Sequence, residues 1–160
     1  MDGALDIATL VAALGCGLNA GIFFAFSTFV MDGLARADAP TGIAAMQSIN
    51  RRAPTAPFML VWLGTALLCA VLAVWTAGSS GDERTILAVA AAAIYLAGSI
   101  ALTFARNIPL NDALDRMDPA DAATARFWRE YVRRWTALNH VRTAASLAGA
   151  ALLTIALAGG

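Results

Sequence analysis

Lysine is absent from the chain, histidine occurs once and cysteine twice. All eleven cations are therefore arginine, and eleven acids balance them to a net charge of zero. A chain without excess positive charge gives no reason to expect a nucleic-acid partner. The single imidazole, His140, cannot supply two axial haem ligands within one subunit. Cys16 and Cys69 both fall inside apolar stretches without the spacing of a metal site, so both read as small core hydrophobes. No Gly-rich phosphate motif occurs, so the sequence carries no nucleotide-binding loop. The acids around the third loop, Asp112, Asp115, Asp118, Asp121 and Glu130, are explained by helix capping and solvation, and no metal is expected.

Charge of either sign is scarce. Only 14% of the 160 residues are charged, while 59% are hydrophobic. A soluble domain carries about 25% charged and about 45–50% apolar residues. The surplus gathers in four blocks, at about residues 5–30, 57–76, 86–105 and 137–158. Each approaches or exceeds the ~20 residues that span a bilayer core. No Lys or Arg precedes the first block, which is longer than the ~7–15 residues of a signal-peptide core, so it reads as a span. The expected fold is all-α: a single four-span membrane domain over residues 1–160, forming a four-helix transmembrane bundle. No acid lies well inside a span, which leaves ion-coupled transport little support.

The arginines sort by loop. Arg36, Arg51 and Arg52 lie in loop 1. Arg106, Arg116, Arg126, Arg129, Arg133, Arg134 and Arg142 lie in loop 3 or at its edges, and only Arg84 lies in loop 2. Cations near span ends stay in the cytoplasm. The expected placement is a multi-pass protein of the cell membrane, with loops 1 and 3 cytoplasmic and both termini outside.

The long loops carry helix signals. Pro40-Thr41 starts a short interfacial helix with Ile43, Met46 and Ile49 at helical spacing. Thr55 caps the second span, with Pro57 in its first turn. Pro109 in Asn107-Ile-Pro-Leu-Asn111 is expected to interrupt the third helix. Asp118-Pro119 with Asp121 starts the fourth, which has a long cytoplasmic extension before it enters the membrane. Gly17-Leu-Asn-Ala-Gly21 is a small-xxx-small pattern that allows close helix approach.

Several polar residues sit where lipid is the solvent. Asn19 lies near the middle of the first span and shares a face with Phe23 and Phe26. Such an amide needs a partner, either across the bundle or in a cavity. Trp128, Tyr131, Trp135, Asn139 and Arg142 recur at steps of three and four, forming one stripe on the last helix. Trp, Tyr and Arg also anchor helices at interfaces, which explains part of this stripe. Asn107 and Asn111 lie four apart. The topology brings all of these to the end of the bundle that carries loops 1 and 3.

These pieces resemble the anthrone oxygenase-like family of small membrane proteins. The resemblance rests on four stretches spread over nearly the whole length. They are Asn19-Ala-Gly-Ile-Phe-Phe-Ala-Phe-Ser-Thr-Phe-Val-Met31, Ala45-Met-Gln-Ser-Ile-Asn50, Asn107-Ile-Pro-Leu-Asn111-Asp-Ala-Leu, and Trp128-x-x-Tyr-x-x-x-Trp135-Thr-x-x-Asn139-His140-x-Arg142. It implies a cofactor-independent oxygenase that converts a hydrophobic polycyclic phenol, of the anthrone-to-anthraquinone type, with O2. In that chemistry His140 serves as general base. Arg142 and Asn139 act beside it on the developing oxyanion, with Asn107 and Asn111 as further polar contacts. Asn19, Phe23, Phe26, Trp128, Tyr131 and Trp135 complete the substrate site, the rings stacking on a planar ligand. Two other readings stay open. One is a non-catalytic protein that binds a hydrophobic small molecule or stabilises a membrane partner. The other is a haem or quinone electron-transfer protein. The sequence leaves homo-oligomerisation open.

Overall fold

The computed structural model describes residues 3–78 and 83–159, and those residues are almost entirely helical with no strand. Five helices account for them. These are α1 (Gly3–Arg36), α2 (Ala39–Arg52), α3 (Ala56–Ala77), α4 (Glu83–Asp115) and α5 (Ala122–Ala158). All but α2 are long and apolar enough to cross a bilayer. They form a four-helix transmembrane bundle in which α1 and α4 each pack against both α3 and α5. Outward-facing Ile7, Leu14, Leu60, Leu67, Val74 and Leu147 are all strongly exposed. Apolar exposure on this scale belongs against lipid.

Local chemistry sets the helix ends. The Asp38 carboxylate accepts the Thr41 N–H at 3.1 Å and starts α2, with Pro40 in the first turn. Thr55 caps α3 through Phe58 N–H, as its sequence predicts. Asp121 rather than Asp118 caps α5, accepting the Ala123 N–H at 2.8 Å, while Asp118 holds the turn before it through the Ala120 N–H. Thr9 and Thr76 return their hydroxyls to carbonyls one turn back, which satisfies them without water.

The expected break at Pro109 does not occur. The third spanning helix runs unbroken to Asp115. It does so through two π-helical segments, Leu96–Ala101 and Thr103–Asn107, just before the proline. A π turn moves each N–H one residue further along the carbonyl ladder. The wider turn accommodates the missing N–H of Pro109 and holds Ile108 helical, at φ −61° and ψ −49°. Helix α1 contains a third such segment, Phe26–Val30.

Two apolar cores result. The larger lies within the membrane-spanning part, around Cys16, Phe23, Trp62, Cys69, Tyr95 and Leu153. The second lies at the loop 1 and loop 3 end and joins Met31, Ile43, Met46, Leu114, Trp128, Tyr131 and Trp135. The apolar residues of α2 thus face protein, with Ile43 and Met46 fully buried. Gln47 ties α2 to the end of α4, donating to the Leu114 and Met117 carbonyls at 2.9 Å each. An Arg51–Asp115 ion pair spans the same two helix ends, and an Arg84–Asp6 pair marks the opposite end of the bundle.

Close helix approach does not use Gly17 and Gly21, whose missing side chains face open space. It uses Gly15 against Thr65 and Gly98 against Ala145. A Cβ at Gly98 would overlap that of Ala145. Gly98→Leu is therefore expected to destabilise the bundle by about 1–3 kcal/mol through overpacking. Gly17→Ala should leave it unchanged. Thermal unfolding in detergent compares the two.

Candidate functional site

Immediately beneath the second core lies a cavity of about 690 Å³. Small-molecule pockets fall in the range of about 300–1,000 Å³. Its walls come from all five helices. Ile22, Phe23 and Phe26 belong to α1, and Met46, Ile49 and Asn50 to the end of α2. Phe58, Met59 and Trp62 belong to α3, Thr103, Phe104, Asn107, Ile108 and Asn111 to α4, and Trp135, Asn139 and Arg142 to α5. Arg51, Arg52, Asp112 and Asp115 form a polar rim. The remainder is largely apolar and aromatic.

The π segments explain why polar side chains meet here. Tyr95, Ser99, Thr103, Asn107 and Asn111 recur at steps of four, and the first four are buried. On an α-helix each step of four overshoots the turn by about 40°. The wider π turns absorb that drift and keep the series on one face. The same device acts in α1, where Asn19, Phe23, Ser27 and Met31 follow steps of four through the π segment and are all buried.

Arg142 dominates the electrostatics. It is 7% exposed, and no carboxylate pairs with it among the described residues. Its Nη1 donates to Asn139 Oδ1 at 3.2 Å, and its Nε has no partner. The guanidinium lies over the Phe23 ring, 3.8 Å from the centroid. The ring face repays part of the desolvation. Asn139 is fully engaged: its Nδ2 donates to the Phe23 carbonyl at 2.6 Å and to Ser27 Oγ at 2.7 Å. Ser27 lies in the α1 π segment, and Phe23 one turn before it. Asn139 thus fixes Arg142 against α1.

The two α4 asparagines differ. Asn111 Oδ1 accepts from Tyr131 Oη at 2.8 Å and from Trp135 Nε1 at 3.0 Å, so it holds the wall together. Asn107 is 1% exposed, lines the cavity, and neither its Oδ1 nor its Nδ2 has a partner. Buried amides without partners are rare in folded proteins and call for an explanation. Deeper in the bundle, Trp62 Nε1 donates to Ser99 Oγ at 3.2 Å and Tyr95 Oη to the Trp62 carbonyl at 3.1 Å. These bonds fix the Trp62 ring in the cavity wall.

Seven of the residues singled out from the sequence converge on this cavity: Phe23, Phe26, Asn107, Asn111, Trp135, Asn139 and Arg142. Four do not line it. His140 is exposed on the outer face of α5. Trp128 and Tyr131 stack on each other in the second core, with ring centroids 5.5 Å apart. Asn19 lies between α1 and α3, donating to the Gly15 carbonyl at 2.8 Å. Sequence reading missed Phe58, Met59, Trp62, Thr103 and Phe104. The Ser99-Thr103-Asn107-Asn111 ladder was the signal available for α4. Nothing in the spacing of the second span singles out Trp62.

Residues 58–152, more than half of the chain, match the family described as anthrone oxygenase. The chain belongs to the anthrone oxygenase family. No curated relative and no solved structure matches it. The anthrone oxygenase match takes in the whole α4 and α5 sides of the cavity, with Asn107, Asn139 and Arg142. Phe23 and Phe26, which complete the cavity from α1, fall outside the matched stretch.

Proposed function

We propose that the protein is a cofactor-independent membrane oxygenase that converts a hydrophobic polycyclic phenol of the anthrone type to the quinone with O2. The single observation that carries this reading is a buried arginine with no carboxylate partner among the described residues, lining the same aromatic cavity as an unpartnered amide. Such a lining suits a flat, apolar ligand with an oxygen that becomes negative. Arg142 and Asn107 meet that oxygen, and Phe23, Phe26, Trp62 and Trp135 contact the ring faces.

The reaction proceeds by loss of a proton from the ring methylene. The carbanion is held as a phenolate-like oxyanion against Arg142, which lowers the cost of ionisation. The electron-rich ring reduces O2, and oxygen adds at the former methylene carbon. Cleavage of the O–O bond leaves one oxygen atom as the new carbonyl. The other departs as water with the two methylene hydrogens. Asn139 acts as a positioning residue for Arg142.

The first proton moves toward the polar rim, where Asp112 has no ion pair among the described residues. His140 has no place in this scheme, because it faces away from the cavity. His140→Gln should therefore oxidise a hydroxyanthrone at the parental rate in reconstituted membranes, and a large loss of turnover would return His140 to the mechanism. The substrate is a membrane-soluble small molecule. Loops 1 and 3, and with them the cavity, lie on the cytoplasmic side of the cell membrane and both termini lie outside. This orientation is supported by the ten arginines on that side.

The test of the function is anthraquinone formation by the purified protein in liposomes. Formation faster than in protein-free liposomes is expected. Equal rates would overturn the oxygenase reading.

A further inference from the structure

The cavity has two kinds of boundary. At the polar rim, where the exposed Arg51, Arg52 and Asp112 line it, two helix ends are tied together. The Arg51–Asp115 ion pair joins the end of α2 to the end of α4, and Gln47 adds two hydrogen bonds across the same seam at 2.9 Å. Toward the lipid, the start of α3 and the π segment Thr103–Asn107 of α4 share no hydrogen bond among the described residues; the bonds that join Trp62 to Ser99 and Tyr95 lie a turn or more away along α4. Side chains alone meet there. Trp62 and Phe104 touch as tilted rings with centroids 5.8 Å apart, and Phe58 stacks on Trp62 at 6.3 Å.

Phe104 is the informative residue. It lines the cavity and is also 56% exposed on the outer surface of the bundle. Phe58 and Met59 also line the cavity and are half-buried. One wall of the cavity is thus continuous with the lipid-facing surface. The backbone behind Phe104 is the π segment Thr103–Asn107. A π turn marks a place where the regular helical ladder is broken, and such turns recur at functional sites. Ring rotation at Phe104 needs no backbone bond to break.

We propose that this gap is a lateral portal, through which an apolar polycyclic ligand passes between the bilayer and the cavity without crossing water. The portal rests on the reading of the cavity as a ligand site, not on the oxidation itself. A polar or charged ligand would have to pass the Phe58, Met59 and Phe104 side chains, which offer it no hydrogen bond. The occupant is therefore a molecule that partitions into lipid.

The experiment uses the full chain in liposomes, with Cys16→Ala and Cys69→Ala as background. Phe104→Cys is compared with Leu60→Cys, a lipid-facing position that does not line the cavity. Each is labelled with a bulky lipophilic maleimide after reconstitution, so that labelling acts on folded protein. Arrival of anthracene, delivered in the membrane, is read by energy transfer from Trp62 and Trp135, in a background that also carries Trp75→Phe and Trp128→Phe because Trp75 faces the lipid. The label at 104 is expected to slow arrival by at least about tenfold, as for a blocked gate. The label at 60 should leave arrival unchanged. Equal rates with the two labels would overturn the portal. Anthracene carries no oxygen for Arg142, so it tests access alone. If it enters by the gap while no hydroxyanthrone is oxidised, the portal stands and the oxygenase reading falls. If no variant shows energy transfer, the cavity takes no apolar ring and the portal falls with it.

Discussion

Arg142→Met is expected to slow anthrone oxidation by about 10²–10³-fold, the usual effect of removing one oxyanion donor. It should also leave the protein as stable as before, or more so. A buried cation without a carboxylate is a burden on folding, and an apolar side chain of similar length removes that burden. Against this stands the contact of the guanidinium with the Phe23 ring, 3.8 Å from its centroid. Such contacts are worth about 0.5–2 kcal/mol. The single hydrogen bond to Asn139 adds little more. Loss of activity with retained or raised stability is the signature of a residue kept for its ligand. Loss of both together would assign Arg142 to packing. Lysine is no substitute here. Its compact ammonium cannot lie flat on the ring while reaching the Asn139 amide.

Asn139→Ala is expected to destabilise the protein by about 2–4 kcal/mol, combining lost hydrogen bonds with a void in the core. Its Nδ2 joins α5 to Phe23 and Ser27 of α1 at 2.6 and 2.7 Å, and its Oδ1 holds Arg142. Turnover should fall as well, because Arg142 loses the partner that orients it. Asn139→Asp keeps the shape and gives Arg142 a counter-charge, but it sets a carboxylate oxygen against the Phe23 carbonyl in place of the Nδ2 donor. Stability is therefore expected to fall here too, while oxidation falls because the guanidinium no longer meets the ligand unpaired. An active Asn139→Asp protein would contradict the role given to the free positive charge. Thermal unfolding and quinone formation, measured on the same preparations, decide both points.

The spans were legible because lipid imposes a length and a composition that Ala, Leu and Val blocks meet on their own. The polar cluster was legible in part for a related reason. Asn107, Asn139 and Arg142 stand out in apolar sequence, and the stripe from Trp128 to Arg142 follows regular α-helical spacing. That same spacing sets His140 one residue, about 100°, off the stripe. The structure shows the consequence, an imidazole on the outside. The π turns were not legible from proline rules, which favour a break at Pro109. Steps of four in α1 and α4 were their only trace in the sequence. Helix contacts were obscured by composition. With so many Ala and Gly residues, the pattern at Gly17 and Gly21 looked like a contact, while Gly15 and Gly98 make the actual ones. Trp128 and Tyr131 read as ligand contacts or as interface anchors, and tertiary packing sets them in the second core instead.

The most direct measurement follows isotope-labelled dioxygen into the product, using purified protein in liposomes and a hydroxyanthrone dissolved in the membrane. The account predicts protein-dependent quinone carrying one labelled oxygen atom at the former methylene carbon, with the other recovered as water, and it predicts loss of that product in Arg142→Met. Quinone that forms no faster than in empty liposomes, or equally with Arg142→Met, would contradict it.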